Sequence, residues 1–333
     1  MNTYVPSENR YEQSMQFTNC GNSGLQLPVV SLGLWHNFGE VDAFANCREM
    51  LTYAFDHGIT HFDLANNYGP PPGSAEQTFG KILRNDLARY RDEMIISSKA
   101  GHRMWPGPYG DGCSRKSIMA SIDQSLRRTG LEYFDIFYSH RYDSTTPIEE
   151  TMRALADIVR QGKALYVGLS KYPIEEACKA MQLLKEEGVP CLIYQDRYNM
   201  LMRDVEKQHF DLVQEAGAGF IAFSPLAQGL LTNKYLKNIP TDSRAAKPHG
   251  FLQESAITPH LQEVLNELNN IAQSLGKTLA ELALLWILRK PEVTSVIIGS
   301  SSVEQLKTNL SILDETPLSE RELELIDEVL AKI

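Results

Sequence analysis

Four side chains in the first half of the chain have the types and spacing needed to reduce a carbonyl group. Asp63 and Tyr68 share the stretch His61-Phe62-Asp63-Leu64-Ala65-Asn66-Asn67-Tyr68-Gly69. Lys99 follows in Ile96-Ser97-Ser98-Lys99-Ala100-Gly101, and His140 in Tyr138-Ser139-His140-Arg141. Carbonyl reduction needs hydride at carbon and a proton for the developing alkoxide. A tyrosine, with a free pKa of about 10, stays protonated at neutral pH and can be that acid. A neighbouring ammonium lowers the phenol's pKa, and a carboxylate keeps the ammonium charged. A neutral imidazole can donate a hydrogen bond to the substrate oxygen and orient it. Tyr68 as acid, Lys99 and Asp63 as its tuners and His140 as orienter form a complete set. Singly, each could be an ion pair or a packing residue. The expectation rests on four complementary groups meeting at one place.

Such a meeting requires a particular fold. From residue 29 onward, short apolar runs at 29–34, 61–64, 94–98, 134–139, 164–169, 191–195, 219–224 and 294–298 read as strands. They are rich in Val, Ile and Phe and nearly continuous in apolar character, as strands covered on both faces should be. Amphipathic segments at 43–57, 75–87, 114–128, 148–160, 174–187, 205–216, 279–288 and 303–313 read as helices. Ser114 suits a helix N-cap, Gly130, Gly162, Gly188 and Gly217 fall just past helix ends, and Pro147 and Pro173 suit first turns. Ahead of the first strand, 16–18 and 25–27 flank Cys20-Gly21-Asn22-Ser23-Gly24 as a small β-hairpin. A long insert covers 226–258, and 320–332 reads as one further helix.

Strict alternation of strand and helix leaves an open doubly wound sheet or a closed barrel. A dinucleotide-binding open sheet predicts a GxGxxG turn after its first strand, where this chain reads Leu32-Gly33-Leu34-Trp35-His36. Polar residues also close nearly every strand: Asp63, Lys99, His140, Ser170, Gln195 and Ser224. A barrel gathers these ends at one mouth, where barrel enzymes carry out their chemistry. The expected fold is therefore an α/β chain forming a (β/α)8 TIM barrel, one domain over 1–333, with an N-terminal β-hairpin and a C-terminal extra helix.

Composition narrows the function. A chain of 333 residues, 43% of them hydrophobic, is large enough to fold without disulfide or metal support. Its formal net charge of −10 argues against a nucleic-acid-binding surface. The five cysteines are scattered, with no CxxC and no zinc-like spacing, as expected of reduced thiols in the cytoplasm. Residues 1–16 lack the apolar core of a signal peptide, and no run approaches the roughly 20 apolar residues of a membrane span. No metal is expected. A metal-dependent barrel isomerase would need several carboxylates and histidines at the strand ends, and Asp63 and His140 are the main ones offered.

The same motifs resemble the aldo-keto reductases, and the likeness runs from Gly33-Leu34-Trp35 to Val303-Glu304-Gln305-Leu306. Asp63 with Tyr68-Gly69 looks like the family's first signature, and Lys99 and His140 fill its remaining catalytic positions. Tyr166-Val167-Gly168-Leu169-Ser170 and Tyr194-Gln195-Asp196-Arg197-Tyr198-Asn199 resemble two further family blocks. The resemblance implies NADPH as cofactor, bound extended without a Rossmann domain. By family position, Ser170 and Gln195 would hold the nicotinamide carboxamide, and Phe223 would stack on the ring. Ser224, Pro225, Leu226 and Lys234 resemble the loop over the pyrophosphate, with Arg244 further along. Gly299, Ser301, Gln305 and Asn309 match the adenosine end, where a strand leads into a helix N-terminus that favours phosphate. Trp35 and Asp63 complete the cofactor set, while Trp35, Tyr68, Trp105 and His140 would meet the substrate. Lys171 departs from the Asn or Arg that many members carry after the serine; it keeps a charge but not the planar fork.

Residues 68–76 and 104–110 resemble a bacterial branch of the family that reduces L-glyceraldehyde 3-phosphate and methylglyoxal and is related to potassium-channel β-subunits. That likeness implies a small aldehyde substrate and a homo-oligomer, tetramer or octamer. Trp35, Trp105, Tyr109 and Tyr142 could wall its pocket, and Arg103, Arg141, Arg197 and Arg203 are candidates for a phosphate contact. The alternative is an NADPH-binding redox-sensing regulatory subunit with little turnover. An intact proton-donor set speaks against it, because a pure binder has no use for the acid.

Overall fold

The computed structural model describes residues 4–240, residue 245 and residues 252–333. Two short strands, β1 (Phe17–Asn19) and β2 (Gln26–Pro28), pair antiparallel as the expected hairpin. The order then runs β3 (Val30–Gly33), α1 (Phe44–Asp56), β4 (His61–Asp63), α2 (Ser74–Ile82), β5 (Ile95–Ala100) and α3 (Arg115–Thr129). It continues through β6 (Phe134–Ser139), α4 (Ile148–Arg160), β7 (Ala164–Ser170), α5 (Ile174–Glu186), β8 (Ile193–Arg197) and α6 (His209–Ala216). The last part holds β9 (Gly219–Phe223), α7 (Pro259–Ser274), α8 (Leu279–Leu288), β10 (Val293–Ile298), α9 (Val303–Leu310) and α10 (Glu320–Leu330). Strands β3 to β10 pair in parallel, each with its successor, and β10 pairs back with β3 to close an eight-stranded barrel. This is the (β/α)8 architecture that the alternation predicts.

Each strand sends alternate residues inward. In β4 these are His61 and Asp63, in β5 Ser97 and Lys99, and after Ile136 and Tyr138 in β6 comes His140 just past the strand end. Large inward side chains need room, and Gly168 provides it: a Cβ there would lie 2.5 Å from the Tyr138 ring. Outside the barrel, helices bury their apolar stripes against the strands. On α4 these are Ile148, Met152, Leu155 and Ile158, at the spacing of one helix face. The hairpin closes the end opposite the mouth. Asn22 N–H donates to Gly217 O at 2.8 Å, and Ser295 Oγ donates to Pro28 O at 2.6 Å.

Several expected bounds shift for identifiable reasons. Pro147 and Pro173 are N-caps of α4 and α5, one residue before the first turn, with extended ψ of 127° and 153°. The helix expected over 75–87 is α2 followed by a π-helical turn at Leu83–Leu87. The segment 205–216 breaks at Gln208, whose φ of −148° separates a short 3-10 turn from α6. Helix α7 has no counterpart in the sequence reading, although Thr258 caps it, Pro259 opens it and Val264, Leu265, Leu268 and Ala272 are buried on one face. No single helix among the described residues is long and apolar enough to cross a membrane; α7 and α8 together would be, but they bend by 86° at their junction.

Candidate active site

The C-terminal ends of the barrel strands open onto a cleft of about 900 Å³. Its floor carries Asp63, Tyr68 and His140, while Lys99 lies fully buried directly beneath. Lys99 Nζ donates to Asp63 Oδ2 at 2.5 Å, to Leu64 O at 2.7 Å and to Tyr68 Oη at 3.4 Å. All three ammonium protons thus have acceptors, as a buried charge requires. Asp63 Oδ1 in turn accepts from Ser97 Oγ at 2.8 Å and Gln195 Nε2 at 3.2 Å.

A hydrogen-bonded chain continues below the carboxylate. His61 Nε2 lies 3.0 Å from Ser97 Oγ, and its Nδ1 lies 2.9 Å from Ser31 Oγ. Ser31 Oγ is 2.7 Å from Ser295 Oγ, whose bond to Pro28 O joins the site to the hairpin. Burial pushes the His61 imidazole down to about 4, so this core histidine is neutral. Its sequence position marks it only as an inward residue one turn of the pleat below Asp63; the chain of partners needs the closed barrel.

Burial also sets the protonation of the groups above. The Tyr68 phenol is held well above its usual range by burial and then by the Asp63 carboxylate. This differs from the sequence expectation of an ammonium-lowered phenol. Desolvation and the Asp63 carboxylate both act to raise it, while for Lys99 itself burial lowers the pKa and the pairing with Asp63 works in the other direction. Tyr68 is therefore a fully protonated donor before reaction. The His140 imidazole is held well below its usual range by burial first and then by Lys99 and Lys171. Its Nδ1 is buried with no hydrogen-bond partner among the described residues. The Tyr68 and His140 rings meet edge to face with centroids 5.9 Å apart.

The remaining expected positions divide cleanly. Trp35, Ser170, Gln195, Phe223 and the run Ser224, Pro225 and Leu226 line the cleft next to the floor. Lys234 stands further out, and Gly299, Ser301, Gln305 and Asn309 line the far end, where β10 leads into α9. Arg244 lies outside the described residues. Trp105, Arg103, Tyr109 and Tyr142 do not line the cleft. The 104–110 loop folds on itself instead: Met104 N–H donates to Gly110 O at 2.7 Å, and Gly110 packs on the Trp105 carbonyl. Arg141 is taken up by Gly101 O and Asp111, and Arg203 by Glu206 and Asp327, so of the four candidate arginines Arg197 alone lines the cleft. The sequence reading did not single out His102, which lines the cleft beside Lys171; a polar residue just past the end of β5 was the available signal.

The long groove running from Ser170 to Asn309 suits an extended dinucleotide. Ser170 Oγ is buried and without a partner among the described residues, as a site awaiting a polar ligand requires. Lys171, Ser224, Ala227 and Gln228, all lining or adjoining the groove, have φ between 46° and 59°. Non-glycine residues in that left-handed region store strain and concentrate at ligand sites. Among the described residues no group of three or more His, Cys, Asp or Glu is placed to hold a metal.

Comparison with known proteins fits this geometry. The profile of the aldo/keto reductase family matches residues 29–331. L-glyceraldehyde 3-phosphate reductase of Escherichia coli strain K12 is 54% identical over 333 residues, covering 98% of this chain and 96% of the relative. The reductase of the same name from Escherichia coli O157:H7 shares the same 54% identity and coverage. A probable voltage-gated potassium channel subunit beta of Arabidopsis thaliana is 36% identical over 310 residues, covering 91% of this chain and 93% of its own length.

Proposed function

The chain belongs to the aldo/keto reductase family and is an oxidoreductase, and from that premise we propose that it reduces small aldehydes with NADPH. L-glyceraldehyde 3-phosphate is the preferred substrate and methylglyoxal a secondary one. The observation that carries the reading is the buried, protonated Tyr68 facing the cleft, backed by the Lys99–Asp63 pair and flanked by a neutral His140.

A reduced nicotinamide supplies the hydride when bound. Ser170 and Gln195 would hold its carboxamide and Phe223 its ring face. Ser224, Pro225, Leu226, Lys234 and Arg244 would follow the pyrophosphate, and Gly299, Ser301, Gln305 and Asn309 the adenosine end. Trp35 and His140 position the aldehyde, with the imidazole N–H directed at the carbonyl oxygen. Tyr68 gives its proton to that oxygen as charge builds there. Lys99, within 3.4 Å, then stabilises the phenolate, and Asp63 keeps the ammonium charged throughout. Trp105 enters the substrate site only if the 104–110 loop turns inward on binding. A homo-oligomer, tetramer or octamer, in the cytoplasm belongs to the same reading.

The test is oxidation of NADPH and of NADH with L-glyceraldehyde 3-phosphate, its D enantiomer, methylglyoxal and an aromatic aldehyde. Turnover that favours NADPH and the L-triose phosphate supports the assignment. Tight NADPH binding without turnover on any of them contradicts it and points to a sensing subunit.

A further inference from the structure

Three cations line the cleft without a salt bridge among the described residues, Lys171, Arg197 and Lys234, and of these Lys171 is the one hydrogen-bonded to a ring that packs on His140. Lys171 follows the last residue of β7, lines the cleft and is half-buried. It forms no salt bridge among the described residues. Its Nζ donates instead to His102 Nε2 at 3.2 Å, a neutral acceptor whose own pKa burial and Lys171 press down to about 4. Asp196, a carboxylate in its neighbourhood, is engaged elsewhere: it accepts from Arg197 N at 2.7 Å and Tyr194 Oη at 3.2 Å. A partly desolvated ammonium without an anion is unfavourable unless a ligand supplies one. The backbone adds a second sign, because Lys171 has φ of 54°, a conformation a lysine adopts only where the surroundings impose it.

We propose that Lys171, held by His102, is the anion subsite of the cleft and binds the phosphate monoester of a short-chain aldehyde substrate. The proposal rests on the aldehyde-reductase reading and deepens it. The placement fits a triose phosphate. His102 meets His140 edge to face with centroids 4.5 Å apart, and His140 meets Tyr68, so Lys171 stands two rings away from the proton donor. In a triose phosphate two carbons and the ester oxygen separate the carbonyl carbon from phosphorus, a spacer suited to a gap of that kind. The rival cations fit less well. Arg197 is exposed with its guanidinium 5.7 Å from the Phe223 ring, and Arg141 is already paired with Asp111.

The experiment compares kcat/KM for L-glyceraldehyde 3-phosphate and for unphosphorylated L-glyceraldehyde in the wild type, Lys171→Met and Lys171→Arg. The expected result is a fall of about 30-fold in the ratio for Lys171→Met, carried by KM. That corresponds to about 2 kcal/mol at roughly 1.4 kcal/mol per decade, the size of a charge-assisted contact. Lys171→Arg should recover part of it. Inorganic phosphate should inhibit the wild type competitively against the aldehyde and lose that effect in Lys171→Met. If the wild type prefers L-glyceraldehyde 3-phosphate and Lys171→Met keeps that preference, the subsite is refuted while the substrate assignment stands. If the wild type shows no such preference, both fall together. Equal loss on both aldehydes, accompanied by weaker NADPH binding, overturns the proposal in favour of a cofactor contact.

Discussion

At the residue scale, burial does more to set protonation than any single neighbour. Lys99 would not remain an ammonium at 0% exposure without Asp63, and Asp63 is held in turn by Ser97 and Gln195. The type and order of these residues were legible in the sequence. The sign of the shift on Tyr68 was not, because the desolvation that dominates it exists only once eight strands close around the side chain. Lys171 leads to a pH prediction. Burial, and then Lys99, lower its pKa to about 8, with Asp196 opposing and Arg141 and Arg197 adding to the shift; His102 beside it is neutral. The group is cationic below that value and neutral above it. The kcat/KM preference for a phosphorylated over an unphosphorylated aldehyde should therefore hold near pH 7 and decline as pH rises through about 8. A preference that stays flat to pH 9.5 would remove Lys171 from phosphate recognition.

At the element scale, the hairpin is more than an N-terminal appendage. Gly21 has φ of 55°, and a Cβ on it would lie 2.2 Å from Gly217 O, so the β1–β2 turn can sit on the start of β9 only with glycine there. Gly21→Ala is expected to destabilise the protein by about 1–3 kcal/mol through strain at that position. The effect would be read as a lower Tm; an unchanged Tm would mean the hairpin contributes little to closing the barrel. The elements that the sequence placed best are those with strong periodicity and clear caps. Strand β6 and helices α4 and α8 fall at their expected bounds. Helix α7 escaped notice because it follows the long insert after β9, where nothing in the strand–helix alternation requires a helix. The folding of the 104–110 loop on itself was equally hidden, since it depends on Gly110 packing against the Trp105 backbone.

At the scale of the whole molecule, the barrel converts residues scattered from position 63 to position 140 into one site. Strands β4 and β5 deliver Asp63 and Lys99 side by side, the loop after β4 brings Tyr68 over them, and the end of β6 adds His140. The sequence predicted this convergence because polar residues recur at strand ends, and closure of the sheet makes those ends neighbours. The cofactor groove was legible mainly as a resemblance, since its length and its strained turns at Ser224, Ala227 and Gln228 follow no simple pattern of residue types. Under the proposed function the assembled site gives each group a separable role, with Tyr68 supplying the proton and the groove holding the cofactor. The most direct measurement is kcat for aldehyde reduction by Tyr68→Phe, with the NADPH dissociation constant determined on the same preparation. Loss of only a hydroxyl should leave the fold and NADPH affinity nearly as in the wild type, while kcat falls by about 10²-fold or more. Turnover close to that of the wild type in a folded, NADPH-binding variant would contradict Tyr68 as the acid.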